Sequence, residues 1–179
     1  GDEVIYSQYA FIVYPLVTKA INAVAKEIPA KNWGHDLNGF LTALSDKTKL
    51  IFIANPNNPT GNFLTEAELD AFLAKVPENV IVVLDEAYTE FTHPSERVNS
   101  FALLEKYPNL IVSRSLSKAY GLAGLRIGYA VSNPEIADLL NRVRQPFNCN
   151  SLALTSAIAV MNDDRSEERR VGKECSEPC

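Results

Sequence analysis

The sequence predicts an α/β domain in which a mostly parallel sheet is sandwiched by helices. Short apolar runs rich in β-branched residues alternate along the chain with segments of helical spacing, and the run at residues 80–84 is apolar throughout. Strands buried on both faces have this continuous apolar character, and alternating helices cover the two faces of a parallel sheet. The predicted strands are residues 4–6, 23–28, 50–54, 80–84, 110–112 and 127–131.

The predicted helices occupy residues 11–23, 37–44, 134–143 and 151–161, and a further helix begins at Thr65. Proline lacks a backbone N–H, so Pro15 has to lie in the first turn of its helix or kink it. Thr65 and Glu68 have the spacing of a capping box, in which each side chain bonds the backbone N–H of the other residue. The chain contains no internal repeat and no linker before about residue 162.

Length, charge and cysteine content narrow the class of protein. The 179 residues suffice for one domain with a core, and the net charge of −5 disfavours a general nucleic-acid binder. No apolar run reaches the length of a membrane span. The three cysteines (Cys149, Cys175, Cys179) are too few and too clustered for a disulfide framework, and the two histidines lie apart from them, so we expect no metal site. The chain begins with glycine, and we expect its native N-terminus to lie upstream.

Three polar segments, residues 55–61, 85–88 and 113–118, each follow a predicted strand or overlap its end. Ligands of open α/β sheets bind beyond the carboxyl ends of the strands. If the strands run parallel, the three segments meet at one edge of the sheet. We therefore expect the functional site at this edge.

Lys118 and Asp85 are the two charged residues on which the site hypothesis depends. A lysine that forms a Schiff base must be partly deprotonated, and burial and nearby cations such as Arg114 and Arg126 favour that state. Asp85 ends an apolar strand, where a buried carboxylate needs a partner, and a protonated pyridine nitrogen would be one. The alternatives are a solvated loop lysine and an aspartate that caps a turn.

Tyr88 and Asn58 are candidates for binding the phenolate oxygen of a pyridine ring held by Lys118 and Asp85. Tyr88 follows Asp85 by three residues and would donate its hydroxyl, whereas the alternative is a half-buried core tyrosine. Asn58 lies between Pro56 and Pro59, which fix the backbone so that the amide can be aimed at a ligand, and Gly61 permits a positive φ. The alternative for this segment is a simple turn.

Ser115 and Arg126 suit a phosphate monoester, because hydroxyls and guanidinium groups are its usual ligands. The nearby glycines are not followed by Gly-Lys-Ser/Thr, so a nucleotide-binding P-loop is not expected. Phe11 is a candidate for stacking on the ring of a bound ligand. The alternative is a phenylalanine of the apolar core. Lysine, carboxylate, tyrosine, asparagine and arginine together are the groups that hold and tune pyridoxal 5′-phosphate, with Lys118 as its covalent anchor.

These motifs resemble those of the fold-type I pyridoxal-phosphate enzymes, the aspartate aminotransferase superfamily, and within it the histidinol-phosphate aminotransferase family. The resembling segments are residues 1–17, 55–61, 85–91 and 113–128, and the resemblance covers about residues 1–164. It implies that residues 1–164 are the central part of a large pyridoxal-phosphate-binding domain. Members of the family are longer at both ends, so this domain is expected to be incomplete at both ends.

The resemblance also implies a role for each candidate. Lys118 would bond to the cofactor and move the proton of the reaction, and Asp85 would pair with the pyridine nitrogen. The other implied roles are phenolate binding by Tyr88 and Asn58, phosphate binding by Ser115 and Arg126, and ring stacking by Phe11.

The activity that the resemblance implies is amino transfer between L-histidinol phosphate and 2-oxoglutarate, in histidine biosynthesis. Its partners would be a small-molecule amino donor and a 2-oxo acid acceptor, with neither nucleic acid nor membrane, in a cytoplasmic homodimer. Because the segments that grip the substrate in the family are missing, we expect this stretch alone to be inactive. An aromatic-amino-acid aminotransferase, a threonine-phosphate decarboxylase and a non-catalytic α/β fragment or regulatory homologue stay open as alternatives.

Residues 165–179 change abruptly in character to a charge-rich segment without the apolar spacing of residues 151–161. This segment is similar to a translated sequencing adapter, and the alternative is a genuine solvated extension. We expect a non-native or disordered tail that contributes no site residue, in which Cys175 and Cys179 bind no metal.

Overall fold

One sheet of six strands organises residues 1–163, the part of the chain that the structure, a computed structural model, describes. The strands are β1 (Glu3–Ser7), β2 (Val24–Ile28), β3 (Thr48–Ala54), β4 (Ile81–Asp85), β5 (Leu110–Ser115) and β6 (Gly128–Ser132), in the order β2-β1-β3-β4-β5-β6. All six correspond to predicted strands. The predicted tail, residues 165–179 with Cys175 and Cys179, lies outside the described residues.

The sheet is mostly parallel, as predicted. Strands β1 to β5 pair in parallel, and β6 pairs antiparallel with β5. A parallel pairing needs a crossover that carries the chain back across the sheet, usually through a helix. The connection from Ser115 to Gly128 has only the 3₁₀ turn Ala123–Leu125, so the chain returns beside β5 in the opposite direction.

Six α-helices lie within the described residues: α1 (Val13–Ala20), α2 (Leu37–Ala43), α3 (Glu66–Leu73), α4 (Ser100–Lys106), α5 (Pro134–Val143) and α6 (Ser151–Met161). The predictions for α5 and α6 were correct to the residue. Helix α1 is shorter than the predicted 11–23, with Pro15 in its first turn, and the left-handed backbone of Asn22 follows its end. Helix α4 was not predicted, although Asn99 caps its N-terminus by accepting a hydrogen bond from the Ala102 N–H.

Helices cover both faces of the sheet, which confirms the predicted sandwich. Helices α2, α3 and α4 pack on one face, where Phe40, Leu69 and Leu103 join Ile51 and Leu84 in the largest apolar core. On the other face, Tyr14 of α1 packs with Val4, Tyr6 and Ala54. Helix α6 packs on Leu116 and Ile127, in and near the segment that follows β5. Among the described residues, no helix has the length and apolar character that crossing a membrane requires.

The predicted capping box at the start of α3 is present. The Thr65 hydroxyl accepts a hydrogen bond from the Glu68 N–H at 3.3 Å, and the Glu68 carboxylate accepts one from the Thr65 N–H at 2.8 Å. These two bonds satisfy N–H groups that have no partner inside the helix.

We expect Thr65→Ala to lower the free energy of unfolding by about 1 kcal/mol, because the N-terminus of α3 loses its cap. Urea unfolding followed by circular dichroism measures this loss. Thr42→Ala is the matched control, since the exposed Thr42 hydroxyl bonds only the Asn38 carbonyl within α2, and we expect a change of less than about 0.5 kcal/mol. Equal losses in the two variants would contradict a capping role.

Candidate active site

The register of the central strands brings the polar segments together at one edge of the sheet. Ala54 is opposite Asp85, and Asp85 is opposite Ser113. The pairing continues past the strands, since the Asn55 N–H donates to the Asp85 carbonyl at 2.8 Å and the Glu86 N–H donates to the Ser113 carbonyl at 2.9 Å. The predicted meeting of the three segments is therefore what the fold produces.

A cavity of about 280 Å³ opens at this edge. All seven candidate site residues line it: Phe11, Asn58, Asp85, Tyr88, Ser115, Lys118 and Arg126. The lining also includes Tyr14, Arg114 and Ser117, which the sequence analysis had not assigned to the site. The cavity thus combines a lysine, a carboxylate, several hydroxyls and two arginines within one small volume.

Two neutral donors orient the Asp85 carboxylate. Its Oδ2 atom accepts a hydrogen bond from the Tyr14 hydroxyl at 2.7 Å, and its Oδ1 atom accepts one from the Ala87 N–H at 3.1 Å. A carboxylate has about four lone-pair sites, so both oxygens can accept a further donor from the cavity. The arrangement can therefore bind a cationic N–H group without first losing a bound cation.

Tyr14 reaches Asp85 from the buried face of α1. Its ring stacks in parallel on Phe52 with the centroids 4.5 Å apart, and only 4% of the residue is exposed. Burial, followed by the Asp85 charge and their hydrogen bond, raises the pKa of Tyr14 far above its ordinary value. The hydroxyl consequently stays protonated and acts as a donor to the carboxylate.

Lys118, Tyr88 and Asn58 form the next group along the cavity. The Lys118 Nζ atom lies 5.4 Å from the centroid of the Tyr88 ring, and the Asn58 amide donates to the Tyr88 hydroxyl at 3.4 Å. Gly61 closes the Asn58 turn with a φ of +73°, the conformation for which the sequence had suggested glycine. The two candidates for one ligand oxygen are thus neighbours, next to the lysine.

A further group of residues in the cavity lining supplies hydroxyl and guanidinium donors. Arg126 Nη1 donates to the Ser117 hydroxyl at 3.3 Å, and the Ser117 N–H donates to the Ser115 hydroxyl at 3.1 Å. Arg126 has a left-handed backbone with a φ of +52°, which is uncommon outside glycine. Ser117 was missed as a site residue, although its position beside Lys118 was a usable signal.

Phe11 lies at the mouth of the cavity rather than in the core. It is 40% exposed and makes an edge-to-face contact with Tyr14, with the ring centroids 6.1 Å apart. Its placement leaves an aromatic face available to a ligand, and the alternative of a core phenylalanine does not hold.

A buried ion pair lies beneath the cavity, on the α4 side of the sheet. The Glu86 Oε2 atom accepts hydrogen bonds from Arg114 Nε and from the Ser100 hydroxyl, both at 2.9 Å, and it lies 2.8 Å from Arg114 Nη2 in an ion pair. Burial raises the pKa of Glu86, and the Arg114 charge opposes that rise. Arg114, which had been expected to act on Lys118, is held by Glu86 and ties β5 to the end of β4 and to α4.

Residues 1–176 match the family model described as aminotransferase class I and II. Over 169 residues the chain is 86% identical to histidinol-phosphate aminotransferase 2 of Haemophilus influenzae (strain 86-028NP) and 79% identical to histidinol-phosphate aminotransferase 1 of Mannheimia succiniciproducens. Both alignments cover 94% of this chain and 46% of the relative, so the chain spans less than half of their length.

A solved structure has the same fold as the described residues. It is the crystal structure of histidinol-phosphate aminotransferase from Sinorhizobium meliloti in complex with pyridoxal 5′-phosphate, with a TM-score of 0.89 and 32% identity. The match covers 95% of this chain and 46% of that one.

We expect Arg114→Met to destabilise the protein by about 3–5 kcal/mol, because Glu86 is left buried without its counter-charge. Glu86 would then take up a proton, and its folded-state pKa would lie further above the unfolded value. A carboxyl group shifted in this direction stabilises the fold at low pH and loses that contribution as pH rises through the folded pKa. The loss measured by urea unfolding should therefore be larger at pH 8 than at pH 5.

Arg142→Met is the control for this variant. It breaks an exposed pair with Asp138 on α5 and should cost less than about 1 kcal/mol at either pH. A loss in Arg114→Met that is independent of pH would contradict the account of Glu86.

Proposed function

This chain belongs to the aminotransferase class I and II family, and from that premise we propose that the whole protein is a pyridoxal 5′-phosphate-dependent aminotransferase. Its substrates are proposed to be L-histidinol phosphate and 2-oxoglutarate. The observation that carries the proposal is one cavity lined by Lys118, Asp85 and Arg126. These are the groups that a covalently held, cationic and phosphorylated ring requires.

The residues of the cavity fit this cofactor group by group. Asp85 retains acceptor capacity toward the cavity for a protonated ring nitrogen, since its present donors are only Tyr14 and the Ala87 N–H. Binding of the phenolate oxygen is proposed for Asn58 and Tyr88, supported by the hydrogen bond that makes them neighbours in the cavity. The proposed donors to the phosphate are Ser115, Ser117 and Arg126. When bound, the cofactor supplies the electron sink for the carbanion that forms at the substrate Cα.

The chain contributes binding, orientation and proton transfer. Lys118 is proposed to be the covalent anchor and the group whose Nζ removes the proton from the Cα atom of the amino donor. Asp85 holds the proton on the ring nitrogen by charge and hydrogen bonding. Phe11 is proposed to cover one face of the ring and so to limit the access of water.

Residues 1–164 are proposed to be the central part of the large cofactor-binding domain. The support is that relatives of the same family continue well beyond the matched half. The whole protein is proposed to be a cytoplasmic homodimer whose only partners in the reaction are small molecules. These proposals follow from the family and need the intact protein for their test.

Histidinol phosphate is preferred as the substrate because the relatives of highest identity reported above have that name. An aromatic-amino-acid aminotransferase or a threonine-phosphate decarboxylase would need the same cofactor residues, so the cavity itself does not separate the three. The residues that separate the three activities are proposed to lie in the substrate-binding parts of the whole protein.

Reduction with borohydride tests the cofactor anchor. After the intact protein is loaded with pyridoxal 5′-phosphate and reduced, we expect peptide mass mapping to place the added mass on Lys118. Lys118→Ala should abolish the label. Lys106→Ala should leave it unchanged, since Lys106 of α4 pairs with Asp70 of α3 and does not line the cavity. A label on another lysine would overturn the assignment.

Steady-state kinetics test the substrate. With 2-oxoglutarate as acceptor, we expect kcat/KM for L-histidinol phosphate to exceed that for phenylalanine or tyrosine by on the order of 10⁴-fold, since a site built for one polar group rejects ligands that lack it. Threonine phosphate should release no carbon dioxide. A preference for the aromatic amino acids, or decarboxylation of threonine phosphate, would favour the corresponding alternative.

A further inference from the structure

We propose that Tyr14 is a positioning residue that fixes the Asp85 carboxylate for the ring nitrogen of the bound cofactor. The inference rests on the proposed function, because it concerns the same cavity. Its starting point is the 2.7 Å hydrogen bond from the Tyr14 hydroxyl to Asp85 Oδ2, which joins residues 71 positions apart in the sequence.

Tyr14 is held rigidly enough to act as a fixed donor. Its ring is stacked on Phe52 with only 1° between the ring planes, and the Thr18 hydroxyl bonds the Tyr14 carbonyl at 2.8 Å. Phe52 is opposite Val83 in the sheet, two residues before Asp85 on the same face of β4. The tyrosine ring therefore lies over the paired strands β3 and β4, close to the end of β4 where Asp85 is located.

A neutral donor has an advantage at this point of the cavity. An arginine or lysine at position 14 would orient the carboxylate but would also neutralise the charge that a pyridinium N–H needs as its partner. A tyrosine hydroxyl restricts rotation of the carboxylate and leaves its negative charge in place. The cavity also contains Lys118 and Arg126, and a freely rotating carboxylate would be attracted toward those cations.

The Ala87 N–H alone cannot supply the same restraint. It bonds only Oδ1, at 3.1 Å, and a single bond to one oxygen leaves the carboxylate free to turn about that contact. The second bond, to Oδ2, fixes the plane of the group. The hydrogen bond from Tyr14 therefore fixes the orientation of the Asp85 carboxylate, which the Ala87 N–H alone would not do.

The test is Tyr14→Phe in the intact protein, with cofactor binding as the first readout. The hydrogen bond to the Asp85 carboxylate is already present without cofactor, so only part of its effect contributes to binding, and we expect the dissociation constant of pyridoxal 5′-phosphate to rise about three- to tenfold. The visible circular dichroism of the bound cofactor should weaken, because the ring is less firmly oriented. The fall in activity should appear in kcat rather than in KM.

Tyr6→Phe is the matched control. Tyr6 is as deeply buried as Tyr14 and belongs to the same apolar cluster, but it lies on β1, which β3 separates from β4. Both variants lose one tyrosine hydroxyl. We expect Tyr6→Phe to bind the cofactor as the unmodified protein does, with unchanged visible circular dichroism. The melting temperature of both variants without cofactor reports any general loss of packing.

A double-mutant cycle separates positioning of Asp85 from a packing effect. In an Asp85→Ala background, we expect Tyr14→Phe to cause no further loss of cofactor affinity, because the group through which it acts is absent. A full additional loss in that background, or wild-type affinity and circular dichroism in Tyr14→Phe alone, would overturn the inference while leaving the proposed function intact. Failure of the unmodified protein to bind the cofactor would instead refute the proposed function.

Discussion

The site depends on the parallel register of β3, β4 and β5. Their hydrogen-bond ladder continues one residue past the strands, so that Asn55 is fixed beside Asp85, and Glu86 beside Ser113. Side chains alternate between the faces of a strand, and a slip of one residue would send each side chain to the opposite face. The register therefore decides which of the two consecutive carboxylates, Asp85 or Glu86, faces the cavity.

The two carboxylates have partners of different kinds, in keeping with their different positions. Asp85 faces α1 and the cavity and accepts from neutral donors, Tyr14 and a backbone N–H, which leaves its charge available. Glu86 faces α4, is fully buried, and is paired with the guanidinium of Arg114. A fully buried charge lowers the stability of the fold unless it has such a partner. A carboxylate that lines a cavity does not need a charged partner in the absence of a ligand. One sheet edge thus supports a buried ion pair on one face and the candidate site on the other.

The strands, the sandwich and the family resemblance could be predicted from the sequence, because apolar runs, capping signals and the motifs near Lys118 are local. The seven candidate residues were found by the same local motifs, and they line one cavity, although their individual roles stay predictions. Helix α4 was missed because its seven residues carry too little periodicity to stand out. Tyr14 and the Glu86–Arg114 pair were missed because each is defined by a partner that only the folded chain brings near.

The most direct test of the central claim is a crystal structure of the intact protein with pyridoxal 5′-phosphate. We predict that the phosphate lies at the Ser115, Ser117 and Arg126 donors, that the ring nitrogen faces Asp85 Oδ1 or Oδ2, and that density joins the cofactor to Lys118 Nζ. Cofactor bound instead in the neighbouring cavity lined by Phe63, Phe91 and His93, with Lys118 unmodified, would contradict the account.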